Sequence, residues 1–321
     1  MIVRHAPAAG GGAGARRARG RFRAFARLKS ALYRLAIVWR GPACWHWRYY
    51  GWDYAARLEG DGWRVRAFGH DYRFGTLAAW RPAAEAIHIV LSGPSVRQIG
   101  DPSALAARPV IAVNGSYRVL AEQGLRADLY AVVDIGYVRR QWDDFVAGVR
   151  AAKALAIDHR MVVEIARRDP QLLREVDVRL FDSLLRPYRR SAHWWTRPPQ
   201  AGLFRDGRRA AFSLSADAGY FPSCTVAYLA LQIAATQRPR RIVFFGLDLD
   251  GGGRFYRERQ REKTMIADDY ERAIRPDFAF AAGVLRGEGI EVLNASPDSR
   301  LPDSVFARVA PARVLGAGCA G

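Results

Sequence analysis

Lysine and cysteine are scarce in this chain: of its 50 basic residues only Lys29, Lys153 and Lys263 are lysine, and three of its 321 residues are cysteine. Cys44, Cys224 and Cys319 are too few and too scattered for a disulfide framework or a zinc site, which fits a reducing compartment. No apolar run approaches the roughly 20 residues that a membrane-spanning helix needs. The N-terminus shows no uninterrupted apolar core followed by a cleavage signal, so secretion is not expected. No acidic residue precedes Asp53, and residues 257–321 contain no histidine. A GxGxxG dinucleotide fingerprint is missing, as are helix-turn-helix and RNA-recognition motifs. The expectation is a protein of the cytoplasm, peripheral on the cytoplasmic face of the inner membrane, with no nucleic-acid partner.

What is abundant is arginine, giving a formal net charge of +19. Its planar fork pairs bidentately with phosphate and carboxylate, so anionic partners are expected. Half the residues are apolar, enough for a sizeable core. Residues 1–20, rich in Ala, Gly and Arg, read as a disordered basic tail. In 21–40, Phe22, Phe25, Leu28, Leu32, Leu35 and Trp39 recur at helical spacing, while Arg21, Arg23, Arg27, Lys29, Arg34 and Arg40 supply the other face. Such a helix suits an anionic membrane surface, or packs on the main domain with its charges solvated. An aromatic-rich stretch (43–54) and a hairpin pattern (62–75) complete an N-terminal extension, 21–85.

From residue 86 short apolar runs appear at 86–91, 109–113, 128–133, 153–157, 178–181, 241–246 and 290–293, most of them separated by polar or helical segments. This rhythm predicts an α/β fold: a Rossmann-like, mostly parallel sheet with helices on both faces over residues 86–309, followed by a tail at 310–321. An arginine-rich insertion at 186–209 breaks the rhythm and reads as a lid or binding segment. In such sheets ligands bind at the carboxyl ends of strands. Those ends carry Ser92-Gly93-Pro94-Ser95, Asn114-Gly115-Ser116 and Asp134-Ile135-Gly136. Small residues let backbone amides approach a ligand. Further on, Ser223 or Thr225 can cap an apolar helix whose opening suits an anion. Asp248-Leu249-Asp250 permits two readings: a pair of carboxylates on Mg²⁺, if the segment is extended, or aspartates holding turn amides.

The order of these pieces resembles the bacterial CMP-sialic acid sialyltransferases of glycosyltransferase family 42 and a related Kdo-adding lipopolysaccharide-core family. The likeness rests on Ser92-Gly93-Pro94-Ser95, Asn114, Ser223-Cys224-Thr225, Gly246-Leu247-Asp248 and Ser296-Pro297-Asp298-Ser299, and spans roughly 86–309. GYFPSCTVAYLALQIA, GLDLDGGGRFY and NASPDSRLP look closest to the lipopolysaccharide-core proteins. The resemblance implies a modified GT-A type of fold. It also implies metal-independent transfer of Kdo or a similar acidic sugar from a CMP-linked donor to a lipopolysaccharide or lipid A-core acceptor, with no further cofactor. The nucleotide and donor would be held by Ser92, Gly93, Pro94, Ser95, Asn114, Gly115, Asp134, Ser223, Thr225, Asp248, Tyr256, Ser299 and Arg300. The family's catalytic histidine beyond the phosphate-binding loop has no counterpart here. Asp217, Asp134 and His193 are therefore the candidates for the general base, and Arg189, Arg190 and Arg197 of the insertion for binding a carboxylate or phosphate. The same clan admits a Mg-ATP pyrophosphokinase-like enzyme, and charge alone admits a non-catalytic basic module.

Overall fold

Each of the seven apolar runs forms a strand, as β-branched composition bounded by turn residues dictates. The computed structural model describes residues 53–190, 194–196, 200–207, 210–251, 253–257 and 265–316, with Leu32, Leu35, Val38, Trp39 and Tyr50. The first three strands, β1 (Tyr54–Glu59), β2 (Gly62–Ala67) and β3 (His70–Thr76), make an antiparallel meander. Its second turn is Phe68-Gly69, both with positive φ, the geometry of a type I′ hairpin. There follow β4 (Ala86–Val90), β5 (Val110–Val113), β6 (Leu129–Val132), β7 (Leu155–Asp158) and β8 (Val178–Phe181). After a small ribbon of β9 (Leu203–Arg205) and β10 (Ala211–Ser213) come β11 (Arg241–Phe245), β12 (Glu291–Asn294) and β13 (Ala307–Arg308).

Eleven of these strands share one sheet in the order β1-β2-β3-β8-β7-β6-β5-β4-β11-β12-β13. From β3 to β13 every neighbour is parallel. The sheet is mixed because the meander continues it beyond β8, through the pairs Gly75↔Arg179 and Thr76↔Leu180. The segment before residue 86 thus adds strands to the sheet that carries the candidate site.

Alternate residues of the central strands feed two cores. Val90, Ala112, Val132, Ile157 and Leu180 join α2 (Trp142–Arg150) and α3 (His159–Arg168), which follow α1 (Ile135–Arg140). Ile89, Ile111, Ala131, Ala156 and Phe181 pack with α4 (Val226–Thr236) and α5 (Arg275–Gly287). This is the period-two alternation of a sheet covered on both faces. Helix α4 is buried continuously from Ala227 to Ala235, as its nearly unbroken apolar sequence requires.

Of the basic helix expected over 21–40, Leu32, Leu35, Val38 and Trp39 are described. All four are helical, and all are exposed, Trp39 by 87%. Arg21, Arg23, Arg27, Lys29, Arg34 and Arg40 lie outside the described residues. Among the described residues no helix is long and apolar enough to cross a membrane.

Candidate active site

The strand order reverses between β4 and β11, and such a switch point opens a crevice at the carboxyl ends of the strands. A cavity of about 1100 Å³ lies there, reached by Ser92 after β4, Asn114 after β5, Asp134 after β6, Arg160 at the start of α3, the 222–227 turn and the 246–257 loop.

Asp248 welds the first of these loops to the last. It is 5% exposed; its Oδ2 accepts the Ser95 amide at 2.8 Å and its Oδ1 accepts the Ser95 hydroxyl. Burial pushes the Asp248 carboxyl above its ordinary range, and the Ser95 bonds pull it back. The Gly93 amide donates to Gly246 O at 3.1 Å beside this junction. From behind, Ser296 Oγ accepts the Leu247 amide at 2.7 Å, Ser299 Oγ donates to Leu247 O, and the Arg300 amide donates to Asp248 O at 2.7 Å. Ser299 and Arg300 therefore support the loop and do not line the cavity. The paired-carboxylate reading of Asp248 and Asp250 needed an extended segment, but Leu249 has φ +62°. Asp248 is a turn holder. Among the described residues no group of three His, Cys, Asp or Glu is arranged to hold a metal ion.

After β5 the chain turns through Asn114, a buried non-glycine residue at φ +47°. Asparagine tolerates this region better than most residues, and strain of this kind gathers at functional sites. Its Oδ1 is buried with no hydrogen-bond partner among the described residues. Ser116 pins the turn, accepting the Val113 amide at 2.8 Å and donating to Val90 O at 2.6 Å. Gly115 leaves room for Tyr256, since a Cβ there would sit 2.1 Å from its hydroxyl oxygen. The Tyr256 ring thus packs directly against the Asn114-Gly115 turn.

At the mouth of α4, Thr225 is the N-cap and accepts the Ala227 amide at 3.3 Å. Ser223 lines the cavity, but its hydroxyl donates to Asp277 of α5 at 2.6 Å, so it serves as a latch. Gln232 holds the incoming loop in place. Its Oε1 accepts the Ser213 and Phe221 amides at 3.1 and 3.0 Å, and its Nε2 donates to Phe221 O at 2.9 Å. Gln232→Leu would leave these buried groups unpaired at about 1–3 kcal/mol each. We expect a loss of roughly 2–5 kcal/mol in urea denaturation.

Arg160 was not singled out from the sequence. It lines the cavity while its Nε and Nη2 bind Asp158 Oδ2 at 2.8 and 2.6 Å. Asp158 is buried and caps α3, accepting the Arg160 and Met161 amides, and Tyr220 adds a contact to each partner. The motif Asp158-His159-Arg160 directly after a strand was the available signal. Arg254, also missed, donates to Ser92 Oγ at 3.0 Å.

The candidate bases separate. Asp134 stands at the rim of the large cavity, at the head of α1, with no side-chain capping bond. Asp217 lines a separate cavity of about 270 Å³ with Arg81 and Arg238. His193 and Arg197 lie outside the described residues. Arg190 stacks over Trp194 at 4.3 Å, and neither it nor Arg189 lines the large cavity.

Two titrating groups outside the cavity, buried His88 and half-buried Asp182, act oppositely on stability. Burial pushes the Asp182 carboxyl up to about 7 and the His88 imidazole down to about 4. Folded Asp182 keeps a proton that the unfolded chain releases, so its contribution falls as pH rises from about 4 to about 7. Folded His88 lacks a proton that the unfolded chain takes up below about 6.5, so its contribution rises over almost the same window. We expect them largely to offset in the native protein. Asp182→Asn should unmask a rise in stability between pH 4.5 and 6.5, of up to about 1.4 kcal/mol per unit, in urea midpoints measured across that range.

No family model matches the chain. It is 32% identical over 197 residues to a "Probable 3-deoxy-manno-octulosonic acid transferase" of Salmonella typhimurium, covering 57% of this chain and 71% of that protein. To the protein of the same description in Escherichia coli it is 25% identical over 241 residues, 70% of this chain and 82% of the other. Among solved structures, a MAf glycosyltransferase from Magnetospirillum magneticum aligns at TM-score 0.44 and 14% identity, over 72% of this chain and 34% of that one. The sialyltransferase CstII from Campylobacter jejuni aligns at 0.40 and 12%, over 70% and 85%. The curated relatives place the chain among the glycosyltransferases. More narrowly, it belongs to the family of the probable 3-deoxy-manno-octulosonic acid transferases.

Proposed function

We propose that the protein transfers 3-deoxy-manno-octulosonic acid, or a similar acidic sugar, from a CMP-linked donor to a lipopolysaccharide-core acceptor at the inner membrane surface. The observation that carries the reading is the switch-point cavity, where the strained Asn114 turn, Arg160 and Asp134 converge. Asn114 and Gly115 would take the nucleotide, and Arg160, already oriented by Asp158, the donor's carboxylate. In the reaction the acceptor hydroxyl attacks the anomeric carbon as that carbon's bond to the CMP phosphate breaks. The hydroxyl proton goes to Asp134 and the bonding pair to the phosphate oxygen. Tyr256, Arg254 and the opening of α4 face the charge that develops there. At the membrane, exposed Leu32, Leu35, Val38 and Trp39 would enter the lipid interface.

The test is a thermal-shift panel with CMP, UMP, GDP, ADP and ATP, each with Mg²⁺ and with EDTA. A ligand at 100 times its dissociation constant stabilises by about 2.7 kcal/mol. Stabilisation by CMP that is indifferent to EDTA supports the transferase. A response to Mg-ATP alone replaces it with the pyrophosphokinase reading. No response to any nucleotide overturns it.

A further inference from the structure

A strained turn persists only where its surroundings over-determine it, and the Asn114 turn, at φ +47°, is held at two levels. Ser116 pins its interior to Val113 and Val90. Its exit, Tyr117-Arg118, is held by another element. Asp144 of α2 accepts the Tyr117 hydroxyl at 2.6 Å and pairs with the Arg118 guanidinium. The same carboxylate accepts the Tyr137 hydroxyl of α1 at 2.8 Å. One side chain therefore bolts the turn after β5 to both helices that follow β6.

The bolt is shielded from water. Tyr117 and Tyr137 are buried, and the Asp144 side chain is 10% exposed. Burial raises both phenols above their ordinary range, so their hydroxyls remain donors to the carboxylate. Hydrogen bonds to an ionised acceptor are stronger than neutral ones, and more so away from solvent.

Arg118 carries the hold further. Its guanidinium lies 5.3 Å from the Tyr117 ring centroid and 5.0 Å from that of Tyr256, within cation–π reach of both. An arginine oriented by a carboxylate is a fixed wall, whereas an unpaired one spreads over many rotamers. Tyr256 rests against this wall on one side and against Gly115 on the other. Asn114 and Tyr256 line the large cavity, while Asp144 and Arg118 stand behind them.

We propose that Asp144 is a positioning residue for the nucleotide side of the cavity: through Tyr117 and Arg118 it sets the Asn114 turn and the Tyr256 ring where a nucleotide would meet them. The assignment rests on the transferase reading for the ligand, while the placement of Tyr256 can be read without one. The experiment is fluorine NMR of the full chain labelled with 3-fluorotyrosine, the Tyr256 signal being assigned by its loss in Tyr256→Phe. Native protein, Asp144→Asn, Arg118→Gln, Arg118→Lys and the double variant Asp144→Asn/Arg118→Gln are compared. Calorimetry gives the CMP dissociation constant of each, at a temperature where urea midpoints show all of them folded.

The expected result is that Asp144→Asn and Arg118→Gln both move the Tyr256 signal toward that of free fluorotyrosine. Each should weaken CMP about tenfold, and the double variant little more than either, as in a single coupled network. Arg118→Lys, which keeps the charge but not the flat stacking surface, should lose less. A purely structural role for Asp144 would lower the urea midpoint and leave both the Tyr256 signal and the CMP affinity unmoved, which overturns the proposal. Additive losses in the double variant overturn the route through Arg118. Failure of the transferase reading looks different: native protein would not bind CMP, while the Tyr256 signal would still move in both single variants and uphold the placement.

Discussion

Gly93→Ala is expected to remove the response to CMP and to lower stability by about 1–3 kcal/mol, the usual cost of forcing a methyl into a packed site. The backbone at Gly93 has φ −65°, open to any residue, so the effect is steric. An added Cβ would lie 2.4 Å from Gly246 O and 2.5 Å from Asp248 Oδ2. Neither can yield cheaply. The carbonyl belongs to a backbone turn bonded to Gly93 itself, and the carboxylate is pinned by the amide and hydroxyl of Ser95. Relief requires the 92–95 turn to part from the 246–250 loop, which opens the side of the cavity where the nucleotide is proposed to bind. Urea midpoints and CMP thermal shifts read both effects. Gly100→Ala, where nothing lies within 4 Å of the added methyl, is the control.

Asp134→Asn is expected to reduce turnover by roughly 10²–10⁴, the range attributed to a positioned general base. The amide keeps the size of the carboxylate and cannot accept the hydroxyl proton, so CMP affinity should stay near the native value. CMP release from the CMP-linked donor in the presence of acceptor measures the first, and calorimetry the second. Asp217→Asn is the companion measurement. Asp217 lies in the other cavity with Arg81 and Arg238, and turnover close to native is expected. If Asp217→Asn instead abolished turnover while Asp134→Asn did not, the assignment of the base would fall.

The parallel strands were legible because each is a short, doubly buried run ending in small polar residues, a pattern that needs no knowledge of partners. For the same reason the turns after β4 and β5 were legible as strand ends, and Ser92, Gly93 and Asn114 from them line the cavity. What was not legible depends on long-range pairing. Asp248 admitted two readings, a metal-binding pair or a turn holder, and its partner Ser95, 153 residues away, could not be read locally. The bonds of Ser223, Ser299 and Arg300 to Asp277 and to the 247–248 backbone could not be read from the sequence either. Gln232 sits in a helix whose surroundings are otherwise apolar, and nothing local announces that it satisfies a loop eleven residues upstream. Arg160 hid inside a helical segment read only as a spacer between strands.

The meander before residue 86 bears on how this chain can be divided. Without β3, strand β8 would become an unpaired border of a large parallel sheet, the kind of open template that recruits other chains. Tyr54, Val65, Tyr72 and Phe74 would leave the core with it. The same segment also tethers the root of the insertion, since Tyr50 donates to Arg186 O at 3.0 Å and the Ala56 amide donates to the Tyr188 hydroxyl at 3.0 Å. A fragment cut at the apparent start of the Rossmann-like pattern would therefore be adhesive along one side and would lose the tethers on Arg186 and Tyr188. The meander and the parallel strands therefore share one sheet and one core, and separating them unpairs β8 and strips that core.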